Sequence, residues 1–186
     1  MSGSLIHIRR LHLGDAALYR EIRLEGLERT PEAFGSTAEA EGKQPLSFFA
    51  ERLGRPATFG AFLATELVGI AGYFVQPGLK EAHKAMLVGM YVRPNARRCG
   101  VGTRLVEAIL DDAGRHVELI KLAVVSENTA ALRLYSHLGF VEYGVERNAL
   151  KQAGRYYDEV LMARPFACSG DPASAGALAA PAKRSL

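Results

Sequence analysis

The chain is expected to fold as a single α+β domain. Three observations predict it: seven short apolar or alternating runs have strand character, four segments carry apolar residues at helical spacing, and Gly, Pro and Asn breaks separate them. A length of 186 residues suits one well-buried core and is short for two.

Leu5 to Arg10 alternates as a strand does, and Gly14-Asp15 then offers a turn and an N-cap. Leu18, Tyr19, Ile22, Gly26 and Leu27 share one face of the following helix, which Thr30-Pro31 ends. Glu32 to Gln44 has no sustained period and is expected to be a loop, followed by a short helix around Leu46–Leu53. The runs Ala57–Ala64 and Leu67–Val75 are separated by Thr65-Glu66, a hairpin spacing with an unfavoured turn pair. Met86–Val92 is the next strand and stops at Arg93-Pro94-Asn95. Val101, Leu105, Ala108 and Ile109 lie at helical spacing, and Leu119–Val125 suits a buried strand. Asn128 caps a helix bearing Ala131, Leu134, Tyr135 and Leu138, closed by Gly139. Strands near Phe140–Arg147 and Tyr156–Arg164 finish the domain, residues 1–165. From residue 166 to 186 the composition turns to Ala, Ser, Gly and Pro, and a disordered tail is expected.

Composition excludes several classes. Nearly half the residues are hydrophobic, yet no apolar run approaches the roughly 20 needed to span a bilayer. Met1-Ser2-Gly3-Ser4-Leu5 lacks the features of a signal peptide, so the expected location is the cytoplasm. The net charge of +3 comes from dispersed basic residues, which gives no support for nucleic-acid binding. Cys99 and Cys168 belong to no metal-ligand or disulfide pattern, and no metal site is expected.

The segment Arg97-Arg98-Cys99-Gly100-Val101-Gly102-Thr103 joins a strand to a helix. A helix N-terminus presents unpaired N–H groups and partial positive charge, and glycines allow close approach of a phosphate. A tight turn with solvated arginines would carry the same residues. There is no Gly-Lys-Ser/Thr ending of a P-loop and no GxGxxG of a dinucleotide fold.

Arg97-x-x-Gly100-x-Gly102 after Met90-Tyr91-Val92-Arg93-Pro94 resembles the pyrophosphate motif of the GNAT acetyltransferase superfamily. Asn128, Ala130-Ala131-Leu132-x-Leu134-Tyr135-x-x-Leu138-Gly139-Phe140 and the ending Tyr156–Met162 are similar to its later segments, in the same order. The resemblance spans about Leu5 to Arg164. It implies a mixed, mostly antiparallel sheet of about seven strands with a central splayed parallel pair, flanked by about four helices. It implies acetyl-CoA as acyl-donor cosubstrate and N-acetyl transfer to a primary amine on a small molecule, a peptide N-terminus or a lysine. Its members commonly dimerise. A non-catalytic acyl-CoA sensor and an enzyme using a longer acyl-CoA stand as alternatives.

Carried onto this chain, the resemblance gives the pantetheine arm to Met90, Tyr91 and Val92, and the pyrophosphate to the amides of Arg98, Cys99, Gly100, Val101, Gly102 and Thr103, beside Arg97. Asn128 is either a helix cap or a hydrogen-bond partner of the pantetheine, with Ala131 next to it. Tyr135 is the implied proton donor to the leaving thiolate, or else a core tyrosine. Full transfer from a tyrosine near pKa 10 to a thiolate near 8.5 runs uphill by roughly 2 kcal/mol. Some members carry a basic glutamate at the position of Met86; here His83 and Glu81 are the nearest substitutes, and a water chain or capture of the small neutral fraction of amine stands beside them. Cys99 occupies a variable position of the phosphate motif, which argues against an acetyl-enzyme. The acceptor is expected between Arg23–Ser36 and the last two strands, with Phe34, Tyr156 and Tyr157 as walls and Glu28 or Glu32 attracting the amine.

Overall fold

The computed structural model describes residues 6–54 and 57–166. The segment expected to be a disordered tail lies, from residue 167 on, outside the described residues, as does Cys168. Phe166 belongs to the domain: its N–H donates to the Glu118 carbonyl at 2.8 Å, and its ring rests against Gly114.

Seven strands form one sheet: β1 (Ile6–Arg10), β2 (Ala57–Leu63), β3 (Glu66–Val75), β4 (Lys84–Val92), β5 (Leu119–Val125), β6 (Val141–Gln152) and β7 (Arg155–Pro165). Their spatial order is β1-β2-β3-β4-β5-β7-β6. Every neighbouring pair is antiparallel except β4 and β5. Five helices accompany them: α1 (Ala16–Arg29), α2 (Ala38–Gly42), α3 (Leu46–Gly54), α4 (Val101–Ala113) and α5 (Thr129–His137). No helix among the described residues is long and apolar enough to cross a membrane.

Strand alternation divides the core in two. On one face α4 buries Val101, Leu105, Val106 and Ile109 against Leu87 of β4, Ile120, Leu122 and Val124 of β5, and Val160 and Met162 of β7. On the other face α1 and α3 bury Tyr19, Ile22, Phe49 and Leu53 against Phe62, Ile70 and Tyr91. Leu18, expected on the buried face of α1, is 41 % exposed.

Three local expectations are corrected. Asp15 stands at the N-cap position of α1 without capping it; its carboxylate accepts both Arg9 Nη atoms at 2.7 Å and the His12 N–H at 2.9 Å. The β2–β3 turn is Ala64-Thr65, one residue earlier than the alternation suggests, with Ala64 at φ 52°. The segment 32–44 is not all loop, because Thr37 accepts the Ala40 N–H and starts α2.

One irregularity shapes the site. Gly72 pairs with Val88 and Ile70 with Tyr91, so Ala71 opposes both Gly89 and Met90. This bulge, with Gly89 at φ 68°, bends β4. The β4–β5 ladder holds only from Lys84–Met86 to Leu119–Lys121, and beyond it the parallel strands have no mutual pairing.

Candidate functional site

At the far end of the splayed strands the chain turns from β4 into α4. Arg98 and Gly100 both take left-handed backbone, at φ 60° and 80°, and Gly100 is the N-cap of α4. Helical hydrogen bonding begins with the Arg104 N–H on the Gly100 carbonyl at 3.1 Å, so the amides of Val101, Gly102 and Thr103 precede it. Such donors with a positive helix end fit a diphosphate. The two arginines differ: Arg97 Nε is tied to the Val92 carbonyl at 2.9 Å and its guanidinium lies 5.9 Å from the Tyr91 ring, while Arg98 is exposed. Cys99 is exposed beside it.

Gly102 draws the site together. A Cβ there would stand 3.1 Å from Met90 Cε and 3.3 Å from Leu134 Cδ2, so α4, β4 and α5 meet at one glycine. The side chains of β4 alternate: Met90 joins the α4 cluster, and Tyr91 turns to α1, where its hydroxyl donates to Glu25 Oε1 at 3.0 Å. What Met90, Tyr91 and Val92 can offer a ligand in the splay is backbone, because no β5 ladder occupies that side. Arg93 fastens the end of β4, donating to Glu25 at 2.8 Å and Glu66 at 2.9 Å and pairing with Glu21.

Asn128 caps α5, its Oδ1 accepting the Ala131 N–H at 3.1 Å. The side-chain NH2 group is left over for another partner. Tyr135 is buried, with its ring edge-on to Phe140 at 5.7 Å. Burial pushes its hydroxyl well above the usual tyrosine range.

On the α1 face a cleft of about 490 Å³ crosses the sheet from Thr58 of β2, over Gly72 and Met86, to Ala123 of β5 and Glu159 of β7. Tyr19 and Arg23 of α1, Phe34, Ser36 and Arg52 of α3 wall it. Phe34 lines the cleft, its ring 4.8 Å from the Arg23 guanidinium. The other acceptor expectations separate. Glu28 is exposed on α1, away from the lining, and Tyr156 is exposed on β7. Tyr157 is half-buried under the Arg155 guanidinium and does not line the cleft. His83 lies before β4, below the paired end of the parallel strands, where its carbonyl accepts the Glu118 and Leu119 amides. The splay opens at the opposite end of β4, so His83 and the cleft are held apart.

The residue missed from the sequence is Glu159, the one carboxylate among the described residues lining the cleft. It pairs with Val125 of β5 and with Glu146 of β6. Partial burial, then the charge of Glu146, raises its pKa above the ordinary glutamate value. A signal existed: Val160 and Met162 must face the core, which turns Glu159 and Leu161 to the other face of the strand.

Residues 19–140 match the acetyltransferase (GNAT) family. The ribosomal protein bS18-alanine N-acetyltransferase of Escherichia coli K12 is 29% identical over 152 residues, covering 81% of this chain and 90% of that enzyme. Its namesake from Salmonella typhimurium is 36% identical over 84 residues, 45% of this chain and 57% of the relative's length. An acetyltransferase structure from Salmonella typhimurium with its cofactor acetyl-CoA superposes with a TM-score of 0.75 at 20% identity, covering 92% of this chain and 99% of that one. With its bulged, splayed β4 and the glycine-led α4, the chain belongs to the GNAT acetyltransferase family, whose acyl donor is acetyl-CoA.

Proposed function

We propose that this N-acetyltransferase moves the acetyl group of acetyl-CoA to a primary amine seated in the cleft, by direct attack in a ternary complex, with Glu159 as general base. The observation that carries the base assignment is the position of Glu159 on β7, directly across from Val125 at the open end of β5. Its raised pKa suits proton acceptance from an ammonium better than an ordinary exposed carboxylate would.

The balance is simple. Glu159 takes a proton from the ammonium, the amine nitrogen bonds to the thioester carbonyl carbon, and the C–S bond breaks. The nitrogen, cationic once bonded to carbon, gives up its second proton while the departing sulfur takes one up. The products are the amide and the free thiol of CoA, and Glu159 releases the first proton to solvent. Tyr135 lies in the α4-face cluster and the cleft on the α1 face, so the splay is the passage between proton acceptor and proton donor. The high pKa of Tyr135 keeps it a neutral O–H donor at working pH. It stabilises the departing sulfur chiefly by a hydrogen bond. The amides of Arg98 to Thr103 take the pyrophosphate, and the β4 edge takes the pantetheine amides.

The E. coli relative is named for acetylating an alanine of a ribosomal protein, which supports an amine acceptor as the class. The test is thiol release from acetyl-CoA across a panel of amines, beside calorimetry of acetyl-CoA binding. Turnover of an amine with Glu159-dependent rate supports the reading. Tight binding without turnover of any amine would turn the assignment to an acyl-CoA sensor.

A further inference from the structure

We propose that the cleft selects an acceptor amine whose own carboxylate is received by Arg52. This rests on the acetyl-transfer reading above and goes on to name the substrate class.

The charges lining the cleft are few: Arg23, Arg52 and Glu159. Behind the arginines lies Glu41, almost wholly buried on α2. It accepts Arg23 Nε at 3.0 Å and Nη2 at 2.7 Å, and Arg52 Nη1 lies 2.9 Å from the same Oε1 that Arg23 uses. Ser36 also hydrogen-bonds it. One carboxylate thus serves two guanidiniums, and that wall keeps a net positive charge. Arg23 is locked, with two of its three nitrogens engaged. Arg52 has one nitrogen engaged, and its side chain remains 38 % exposed. The rest of its fork is free for a carboxylate, the anion that planar geometry suits best.

The two charges also lie at opposite sides of the cleft. Arg52 sits on α3, which packs against β2, and Glu159 sits on β7, four strands across the sheet. Met86, Val88 and Ala123 form an uncharged floor between them. An acceptor with an ammonium and a carboxylate would align along this axis, ammonium to Glu159 and carboxylate to Arg52. Four strand spacings of about 5 Å put β2 and β7 roughly 20 Å apart at the backbone. Even with both side chains reaching inward, the span suits an extended ω-amino acid or a peptide rather than an α-amino acid. An amine with a neutral or cationic tail would leave Arg52 unmatched.

The experiment compares kcat/KM for ω-amino acids of increasing length with alkylamines of equal length, and with a short peptide whose second residue is glutamate. A preference of at least tenfold for carboxylate-bearing amines is expected. A peptide matching the best free amino acid would place the same carboxylate on a peptide. Arg52→Gln should bring the preference close to one, mainly through KM, and Arg52→Lys should restore part of it. Equal kcat/KM for matched acceptors, or a preference that survives Arg52→Gln, overturns the proposal. Calorimetry with the N-acetylated ω-amino acid gives a readout free of turnover. It should bind the wild type at least tenfold more tightly than Arg52→Gln, even if no amine is acetylated, whereas equal binding overturns the subsite.

Discussion

Glu159 and Glu146 face each other across the β6–β7 ladder, two carboxylates on one side of the sheet at the end of the acceptor cleft. Glu159 is half-buried, and the like charge of Glu146 directly opposite adds to the cost of ionising it. Its folded pKa is raised, so the active carboxylate form is lost as pH falls through that raised value. Glu159→Gln should lower kcat/KM at pH 7 by about 10²- to 10³-fold, within the usual range for a positioned base. The deficit should shrink toward about pH 10, where the amine itself is neutral. A pH–rate profile of the two proteins checks this. A constant deficit at every pH would make Glu159 a binding group only.

Tyr135 offers a separate test, because its ring and its hydroxyl do different things. The ring packs edge-on to Phe140 in the core, and Tyr135→Phe keeps that contact. The hydroxyl takes no hydrogen bond from a described residue, so its removal should leave the melting temperature nearly unchanged. If the hydroxyl meets the leaving sulfur, kcat should fall by about 10- to 100-fold while KM for acetyl-CoA hardly moves. An unchanged kcat returns Tyr135 to the core.

Much of this fold was legible because its signals are local. Gly100 and Gly102 announce a turn into a helix, Asn128 caps α5, and Gly139 ends it at φ 84°. The helix α2 gave no period because it is five residues long and buries only Glu41. Glu41 could not be foreseen as the partner of Arg23 and Arg52, since that pairing is long-range and replaces a hydrophobic contact. Glu159 was hidden for a related reason: its neighbours Asp158 and Tyr157 are polar too, and only the register with β5 and β6 separates it from them. His83 is close to Met86 in sequence but precedes the strand, at the end where β4 is still paired. Proximity along a strand direction does not carry a side chain into a cleft that opens at the other end.

The left-handed Gly100 separates phosphate binding from folding. A Cβ there would meet nothing within 4 Å, so Gly100→Ala costs only its backbone conformation, about 1 to 2 kcal/mol. Relaxation of that turn would rotate the first amides of α4. The expected result is a several-fold rise in KM for acetyl-CoA with a small loss of stability. Isothermal titration with CoA and with pantetheine, which lacks the pyrophosphate, would show the loss only for CoA. Unaltered affinity would mean that this helix end does not hold the phosphates.

Acid sensitivity should trace to Glu41. Burial alone would raise its pKa, but hydrogen bonds from Arg23, Arg52 and Ser36 and the charge of Arg23 more than offset this and hold it at about 2. A carboxylate depressed in the folded state adds stability that is fully present above its unfolded value near 4.3. That contribution is lost as pH falls through about 2. Asp15, held at about 2 by Arg9 and the His12 amide against the cost of burial, contributes in the same window. Glu41→Gln leaves Arg23 buried without its counter-charge, and should cost about 3 to 5 kcal/mol at pH 7, as for other broken buried pairs. Its stability should also vary less between pH 4 and 2 than that of the wild type, since one strongly depressed carboxylate is gone. Denaturant unfolding at stepped pH measures both effects. A variant as stable as the wild type at pH 7, with the same acid slope, would show that Arg23 and Arg52 do not depend on Glu41.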